Sequence, residues 1–314
     1  MRRAAVNHIF ANVHIIQVMT PTFTHKGIRI VRILMPILTL LIGAAGCGTR
    51  PSSGKQAITV SIRPQKYMLE KIVGDKWDVK CLLNNTADPE SFDPGMTHLL
   101  NLESSKAYFR IGNIPFESAI INKVKNNNPG LHLYDNSEGI SLITGTHGHH
   151  GSDIDPHTWT SIKNAKKIAS NMYDAVVELD PSNRSYYAAN LKKFLRELDS
   201  LDTQVDSILR PARGSSFLVW HPSLSYFARD YGLHQISLSP EGKEASVNMV
   251  KKSISRANNE DARLFFYQKD VDSRQALSIN EQLGAELVEI HPLSYDWDKE
   301  MLDIANAIAR QTNN

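Results

Sequence analysis

Residues 182–209 read SNRSYYAANLKKFLRELDSLDTQVDSIL, a stretch that contains neither glycine nor proline. Asp180, Pro181 and Ser182 supply a helix start, and Pro211 supplies a stop. At about 1.5 Å per residue the helix is about 40 Å long, enough to join two lobes. The alternative is a coiled-coil oligomerisation helix, which the imperfect heptad disfavours. The apolar side chains follow helical spacing and are Leu191, Phe194, Leu195, Leu198, Leu201, Val205 and Ile208.

Short β-branched and aromatic runs alternate with helical segments on both sides of this stretch. Such alternation indicates parallel sheets with helices on both faces, so we expect an α/β fold of two doubly wound parallel-sheet lobes joined by one long helix. The runs before it are ITVSI (58–62), WDVKCLL (77–83), AYFRIG (107–112) and LHLYD (131–135). The runs after it are SSFLVW (215–220), LHQISL (233–238), RLFFY (263–267) and ELVEI (286–290).

The domain boundaries follow from this alternation. We expect an N-terminal lobe over 57–180, a linking helix over 181–210 and a C-terminal lobe over 211–314. In such sheets ligands bind outside the carboxyl ends of the strands. The sequence therefore predicts a binding site in the cleft between the lobes.

The overall charge gives little sign of a nucleic-acid partner. The 314 residues carry a net charge of +2 with a pI near 8.4, and the basic residues are spread along the chain as on a solvated surface. No nucleic-acid-binding motif accompanies them. We expect no nucleic-acid partner.

The first residues resemble a secretory signal. Basic residues between 26 and 32 precede an apolar run over 33–45, and small residues then lead to Cys47. We expect residues 1–46 to be a lipoprotein-type signal peptide, with Met19 as a more typical start. Cys47 would be the acylated first residue of a tether over 47–56. An uncleaved anchor helix is the alternative, and either reading places the protein outside the cytoplasm on a membrane.

Cys81 is then the only cysteine left. An intramolecular disulfide and a cysteine-based metal site are both excluded on that reading. Cys81 lies in the apolar run VKCLL and is predicted to be a small core residue.

Four loops that follow predicted strands each offer a metal ligand: Glu90, His157, His221 and His291. Three imidazoles and one carboxylate suit a four-coordinate Zn²⁺ ion, and the same set could hold Mn²⁺ or Fe²⁺. Taken singly, each residue is weak evidence for a metal site. A lone loop histidine is more often a surface residue, and Glu90 alone is more often a solvated carboxylate. The signal is the coincidence of four donors at four strand ends.

The motifs around these residues resemble one family, the zinc/manganese solute-binding proteins of ABC transporters (cluster A-I, or cluster 9). ADPESFDP resembles its G-x-DPH-x-[YF]-E-P motif, and DIDPHTWTSIKNAKKIA its DPH-x-W-x-x-x-x-NA segment. LVWHPSLSYFARDYGL is similar to its H-x-x-x-x-YFA-x-x-YGL segment, and VEIHPL matches its LDPL position. The resemblance covers roughly residues 57–313.

Two departures from the family pattern are reciprocal. Glu90 stands where the family usually has His, and His291 stands where it usually has Asp. The number of donors and the formal charge are kept, which favours a retained metal site. Asp93, at the family's Glu position, is the fallback carboxylate.

The loop GTHGHHGSDIDPHT (145–158) has two predicted roles. His157 belongs to the metal site by its match to the family motif. His147, His149 and His150 resemble the His-rich insert of zinc-specific members and could collect ions. The alternative is a solvated loop whose three histidines do nothing.

The resemblance implies an extracytoplasmic solute-binding protein that captures a divalent transition metal, zinc above all, and delivers it to the permease of an ABC importer. We expect a lipid-anchored monomer. We also expect no enzymatic activity, because four protein ligands leave no open position for a catalytic water. The long helix is expected to resist a large hinge motion. One alternative is a zinc hydrolase with Glu90 as general base, and another is an adhesin-like surface lipoprotein.

Overall fold

Two four-stranded parallel sheets, one in each lobe, form the frame of the molecule. The computed structural model describes residues 54–83, 89–144, 154–238, 246–268 and 273–311. The predicted signal peptide with Cys47, and the histidines at 147, 149 and 150, lie outside the described residues. Within those residues, no helix combines the length and apolar character needed to cross a membrane.

The N-terminal sheet has the strand order β2-β1-β3-β4, and all its pairings are parallel. Pro64 and Pro115 lie in the first turns of two of its helices. Proline fits there because the backbone N–H it lacks would have no partner within the helix. The strands are β1 (Ala57–Val60), β2 (Asp78–Cys81), β3 (Ala107–Arg110) and β4 (His132–Asp135). The helices are α1 (Arg63–Val73), α2 (Met96–Glu103), α3 (Pro115–Asn127) and α4 (Ile162–Leu179).

The long helix α5 (Arg184–Leu209) links the lobes. It begins two residues later than the sequence pattern predicts, because residues Pro181–Asn183 form a 3₁₀ turn. The Asp180 carboxylate accepts hydrogen bonds from Asn183 Nδ2 (2.7 Å) and from Tyr187 Oη (2.6 Å), which fixes the start of the helix. A second 3₁₀ turn, Arg210–Ala212, follows its last residue.

The C-terminal sheet repeats the arrangement with the order β6-β5-β7-β8, again all parallel. All eight predicted strands and the predicted fold class are confirmed, with strand ends shifted by at most two residues. The strands are β5 (Ser216–Val219), β6 (His234–Ser237), β7 (Leu264–Gln268) and β8 (Glu286–Ile290). The helices are α6 (Ser225–Tyr231), α7 (Val247–Asn259), α8 (Ser273–Asn280) and α9 (Trp297–Gln311).

One hydrophobic core, here called the shared core, extends through both lobes. Helix α5 packs on α1 and α4 of the N-terminal lobe and on α9 of the C-terminal lobe. Burying this apolar surface stabilises the two lobes as one body. Members of the shared core from the two sheets, α5 and α9 include Ile58, Val60, Phe109, Phe194, Leu198, Phe217, Val219, Phe266 and Trp297.

Polar contacts reinforce the contact between the lobes. Asp202 of α5 accepts hydrogen bonds from Lys166 Nζ (3.1 Å) in one lobe and from Tyr231 Oη (2.8 Å) in the other. Arg229 of α6 donates to the carbonyl of Ser141 at 2.9 Å. Each contact would have to break for the lobes to separate, which agrees with the expected resistance to a large hinge motion.

Cys81 ends β2 and packs against the shared core. Its thiol donates to the Leu83 carbonyl at 3.4 Å, and burial raises the pKa of the thiol to about 12. The thiolate is therefore disfavoured at neutral pH, as expected for an unreactive core residue.

Candidate metal centre

Three of the predicted ligands meet between the lobes. Glu90 follows β2 and His157 follows β4, whereas His221 comes two residues after β5 in the other lobe. Glu90 Oε1 lies 3.6 Å from His157 Nε2 and 3.4 Å from His221 Nε2. The two Nε2 atoms are 3.1 Å apart. Among the described residues, these three side chains are the one group of His, Cys, Asp or Glu with metal-site spacing.

The size of this triangle fits a transition-metal ion. A point equidistant from the three atoms lies about 2.0 Å from each of them, within the range of Zn–N and Zn–O bonds. Two ligands on a tetrahedral ion with such bonds are separated by about 3.3 Å, close to the observed spacing. The side chains of Glu90 and His157 are almost fully buried and that of His221 is mostly buried. The donors are thus already gathered at ligand distance.

Asp155 fixes the orientation of His157. Its Oδ1 accepts hydrogen bonds from the backbone N of His157 (2.8 Å) and from Nδ1 of the ring (2.9 Å). Burial raises the pKa of Asp155, but the hydrogen bonds from His157 outweigh it and hold that pKa below its ordinary value. With Nδ1–H committed to this carboxylate, Nε2 keeps its lone pair for an ion.

Two aromatic residues hold the loop that carries His157. Tyr226 of α6 donates from Oη to the Asp155 carbonyl (2.7 Å) and accepts from the backbone N of Ile143 (3.2 Å). Trp159 is buried with its ring centroid 5.0 Å from that of His157. The Trp159 Nε1–H donates to the Pro292 carbonyl at 3.0 Å. The C-terminal lobe thereby supports the ligand of the N-terminal lobe.

The structure brings three of the four predicted ligands together and leaves the fourth, His291, outside this group. Its side chain is 46% exposed, and Nε2 lies 3.2 Å from Oε1 of Glu289. Residues two apart at a strand end point to the same side, which favours this local contact over the cleft. Asp93, the fallback carboxylate, is exposed and is also absent from the group.

The supporting residues were missed by the sequence reasoning. Asp155 stands in the DPH motif two residues before His157, and this spacing was a usable signal for an orienting carboxylate. Tyr226 and Gln268, which contacts the loop of His221, gave no comparable signal. Their partners lie 71 and 47 residues away in the chain.

Replacing Asp155 by alanine is expected to weaken zinc binding by about 10–100-fold, the range for groups that orient a ligating histidine. Asp155→Asn keeps an acceptor oxygen and should fall between this variant and the unmodified protein. Competition titration against a chromophoric zinc chelator measures both.

Asp180→Ala is the matched control, because Asp180 is also a hydrogen-bonded carboxylate with a lowered pKa but lies at the start of α5. It should reduce stability and leave zinc affinity unchanged. Unaltered affinity in Asp155→Ala would contradict the orienting role.

Comparison with known proteins agrees with this fold. A family model described as "Zinc-uptake complex component A periplasmic" (ZnuA) matches residues 58–310. The "High-affinity zinc uptake system protein ZnuA" of Bacillus subtilis (strain 168) is 25% identical over 282 residues, which cover 83% of this chain and 88% of that protein.

Two solved structures are similar over most of the chain. A crystal structure of ZnuA has a TM-score of 0.76 and 35% sequence identity, covering 82% of this chain and 100% of that one. A ZnuA deletion mutant with zinc bound gives the same TM-score and identity over 82% of this chain and 98% of that one. With the family model matching more than half of its residues, the chain belongs to the family of the periplasmic zinc-uptake component ZnuA.

Proposed function

We propose that this protein captures a divalent transition metal outside the cytoplasm, with zinc as the cargo, and delivers it to the permease of an ABC importer. The observation that carries the proposal is the triangle formed by Glu90, His157 and His221 at ligand spacing between the two lobes. The similar proteins support it, since one is named as part of a zinc uptake system and one was solved with zinc bound.

Zinc is favoured by the donor set. Two imidazole nitrogens and a carboxylate oxygen are borderline donors that suit Zn²⁺, while Mn²⁺ and Fe²⁺ accept similar ligands. Binding requires neutral imidazoles and an ionised carboxylate, so protonation opposes it.

His291 is proposed as the fourth ligand. The Trp159 Nε1–H bond to the Pro292 carbonyl ties the β8–α9 loop to the segment that carries His157. The His291 backbone is therefore next to a residue anchored at the site, and its exposed ring is free to turn away from Glu289. Four protein ligands would enclose the ion.

A hydrolase with Glu90 as general base is the second candidate, and the site geometry supports it less. A general base acts on a water that sits between it and the ion. Glu90 Oε1 instead lies 3.6 and 3.4 Å from the two imidazole nitrogens, which are themselves 3.1 Å apart. The three distances agree to within about half an ångström. That position is a ligand vertex, and we propose that the protein is not an enzyme.

Membrane attachment is proposed from the sequence alone. Cleavage before Cys47 and acylation of that residue would tether a monomer to the membrane through residues 47–56. The adhesin-like alternative predicts binding to a host protein that survives chelation of the metal, whereas a transport component predicts no such binding.

Deletion of residues 146–150 is expected to leave zinc affinity at the main site within a few-fold of its original value. A short tract of glycine-spaced histidines makes weak ligands, so His147, His149 and His150 would add at most extra sites of low affinity. Calorimetric titration of the deletion variant with Zn²⁺ measures both classes of site. A loss of affinity equal to that of His157→Ala would contradict the division of the loop into two roles.

The function is tested by metal analysis followed by transport. Elemental analysis of protein purified from its native host should find zinc near one equivalent. Vesicles that contain the cognate permease should accumulate ⁶⁵Zn²⁺ only when the protein is added. Metal-free protein that fails to bind Zn²⁺, Mn²⁺ or Fe²⁺ in solution would overturn the proposal.

A further inference from the structure

Gln268 lies beside the ligand of the C-terminal lobe. It is the last residue of β7, which pairs in parallel with β5 through Val219 and Phe266. The backbone N of Trp220 donates to the Phe266 carbonyl at 2.8 Å, so the pairing continues to the residue before His221. Gln268 and His221 therefore emerge side by side at the carboxyl edge of the sheet.

The carboxamide of Gln268 contacts the turn that carries this ligand. Its Nε2 donates to Oγ of Ser223 at 3.0 Å and reaches the carbonyl of His221 at 3.4 Å. The same carbonyl accepts from the backbone N of Ser223 at 2.7 Å, and Ser223 is buried. Because a carbonyl oxygen can only accept, the amide nitrogen must be the atom that faces it.

The other end of the carboxamide is costly for the fold. Gln268 Oε1 is buried and has no hydrogen-bond partner among the described residues. A buried acceptor without a partner destabilises a protein relative to an apolar group of the same shape. The cost of this oxygen offsets part of what the amide nitrogen contributes through Ser223 and His221, so stability alone gives little reason for an amide here.

The two histidines of the metal centre are held in different ways. His157 has Asp155 on its Nδ1, whereas within the described part of the chain nothing hydrogen-bonds Nδ1 of His221. With no hydrogen bond on that side of the ring, the backbone from which the side chain starts has a larger part in placing His221. Gln268 donates a hydrogen bond to the carbonyl of that backbone.

We infer that Gln268 is a positioning residue of the metal centre. Its amide nitrogen holds the His221–Ser223 turn so that His221 Nε2 stays at ligand distance from His157 and Glu90. The inference rests on the proposed metal-binding function and adds a residue that does not touch the ion.

Gln268→Met tests the inference, because methionine fills a similar volume without the amide. We expect the zinc dissociation constant to rise about tenfold or more, as for other groups that orient a ligating histidine. The melting temperature of the metal-free protein should change little, since removal of the unpartnered oxygen offsets the loss of the donor to Ser223 Oγ. The visible absorption bands of the Co²⁺-loaded protein should shift, because they report ligand geometry.

Gln311→Met is the matched control. Gln311 Nε2 donates to Oγ of Ser215 at 3.2 Å, and its Oε1 is likewise buried without a partner among the described residues. It lies at the amino end of β5, opposite the metal centre. Its replacement should likewise change stability little and leave both the zinc affinity and the Co²⁺ spectrum unaltered.

Gln268→Glu separates positioning from charge. A carboxylate would attract the cation but would repel the His221 carbonyl, so positioning predicts weaker binding and simple charge predicts tighter binding. The inference is overturned if the unmodified protein binds zinc and Gln268→Met binds it equally well with the same Co²⁺ spectrum. If the unmodified protein binds no metal, the proposed function fails instead.

Discussion

His157→Ala is expected to abolish high-affinity zinc binding. The substitution removes one of the three ligand atoms of the triangle and leaves the buried carboxylate of Asp155 without the imidazole it orients. The loss should exceed the about 10–100-fold change expected when only an orienting group is removed. Competition titration against a high-affinity chelator measures the dissociation constant.

His221→Ala should cause a loss of the same order, since its Nε2 occupies an equivalent vertex. His234→Ala is the control, because His234 is an exposed histidine at the opposite end of β6. The His234→Ala variant should bind zinc with unaltered affinity. Zinc affinity of His157→Ala equal to that of the unmodified protein would show that the metal binds elsewhere.

Trp159→Ala is expected to lower the free energy of unfolding of the metal-free protein by about 3–5 kcal/mol, the usual cost of truncating a large buried aromatic residue. Trp159 is 1% exposed and makes two hydrogen bonds to the C-terminal lobe. Its Nε1 donates to the Pro292 carbonyl (3.0 Å), and its own carbonyl accepts from Trp297 Nε1 (2.8 Å). Urea denaturation followed by circular dichroism measures the change.

Trp159→Phe separates packing from hydrogen bonding. Phenylalanine keeps most of the buried ring but leaves the Pro292 carbonyl without its donor, which costs about 1–3 kcal/mol. A loss below about 1 kcal/mol in Trp159→Ala would mean that the interface between the lobes tolerates a cavity there, contrary to a well-packed shared core.

Much of the fold was readable from the sequence because its signals are local. Strands β5 and β7 in the middle of the C-terminal sheet fall in short apolar runs, FLVW (217–220) and LFFY (264–267), with polar residues on either side. The long helix carried its own period together with a start and a stop signal. The 3₁₀ turn at Pro181 was less predictable, since propensity does not separate it from the first turn of an α-helix.

The site was predictable only as far as backbone position determines it. The end of β5 determined where His221 had to lie, two residues beyond it. Glu90 and His157 lie 9 and 22 residues beyond β2 and β4, so their positions followed from the sequence motifs and not from the strand ends. For His291 the strand end was right, yet the side chain pairs with Glu289 two residues earlier. Side-chain direction at a strand end depends on such local competition, which a pattern of residue types does not resolve. The contact between Gln268 and the His221 turn could not be predicted, because it depends on the pairing of β7 with β5, which only the fold reveals.

The shared core has a practical consequence for anyone who would use this scaffold as an optical zinc reporter. Sensors made from two-lobed receptors often rely on energy transfer between dyes on opposite halves, which needs a large change in their separation. Here Phe194 and Trp297 belong to one packed interior, so the dyes would barely move. If His291 turns onto the ion as proposed, a single polarity-sensitive dye on the segment around it would report binding better.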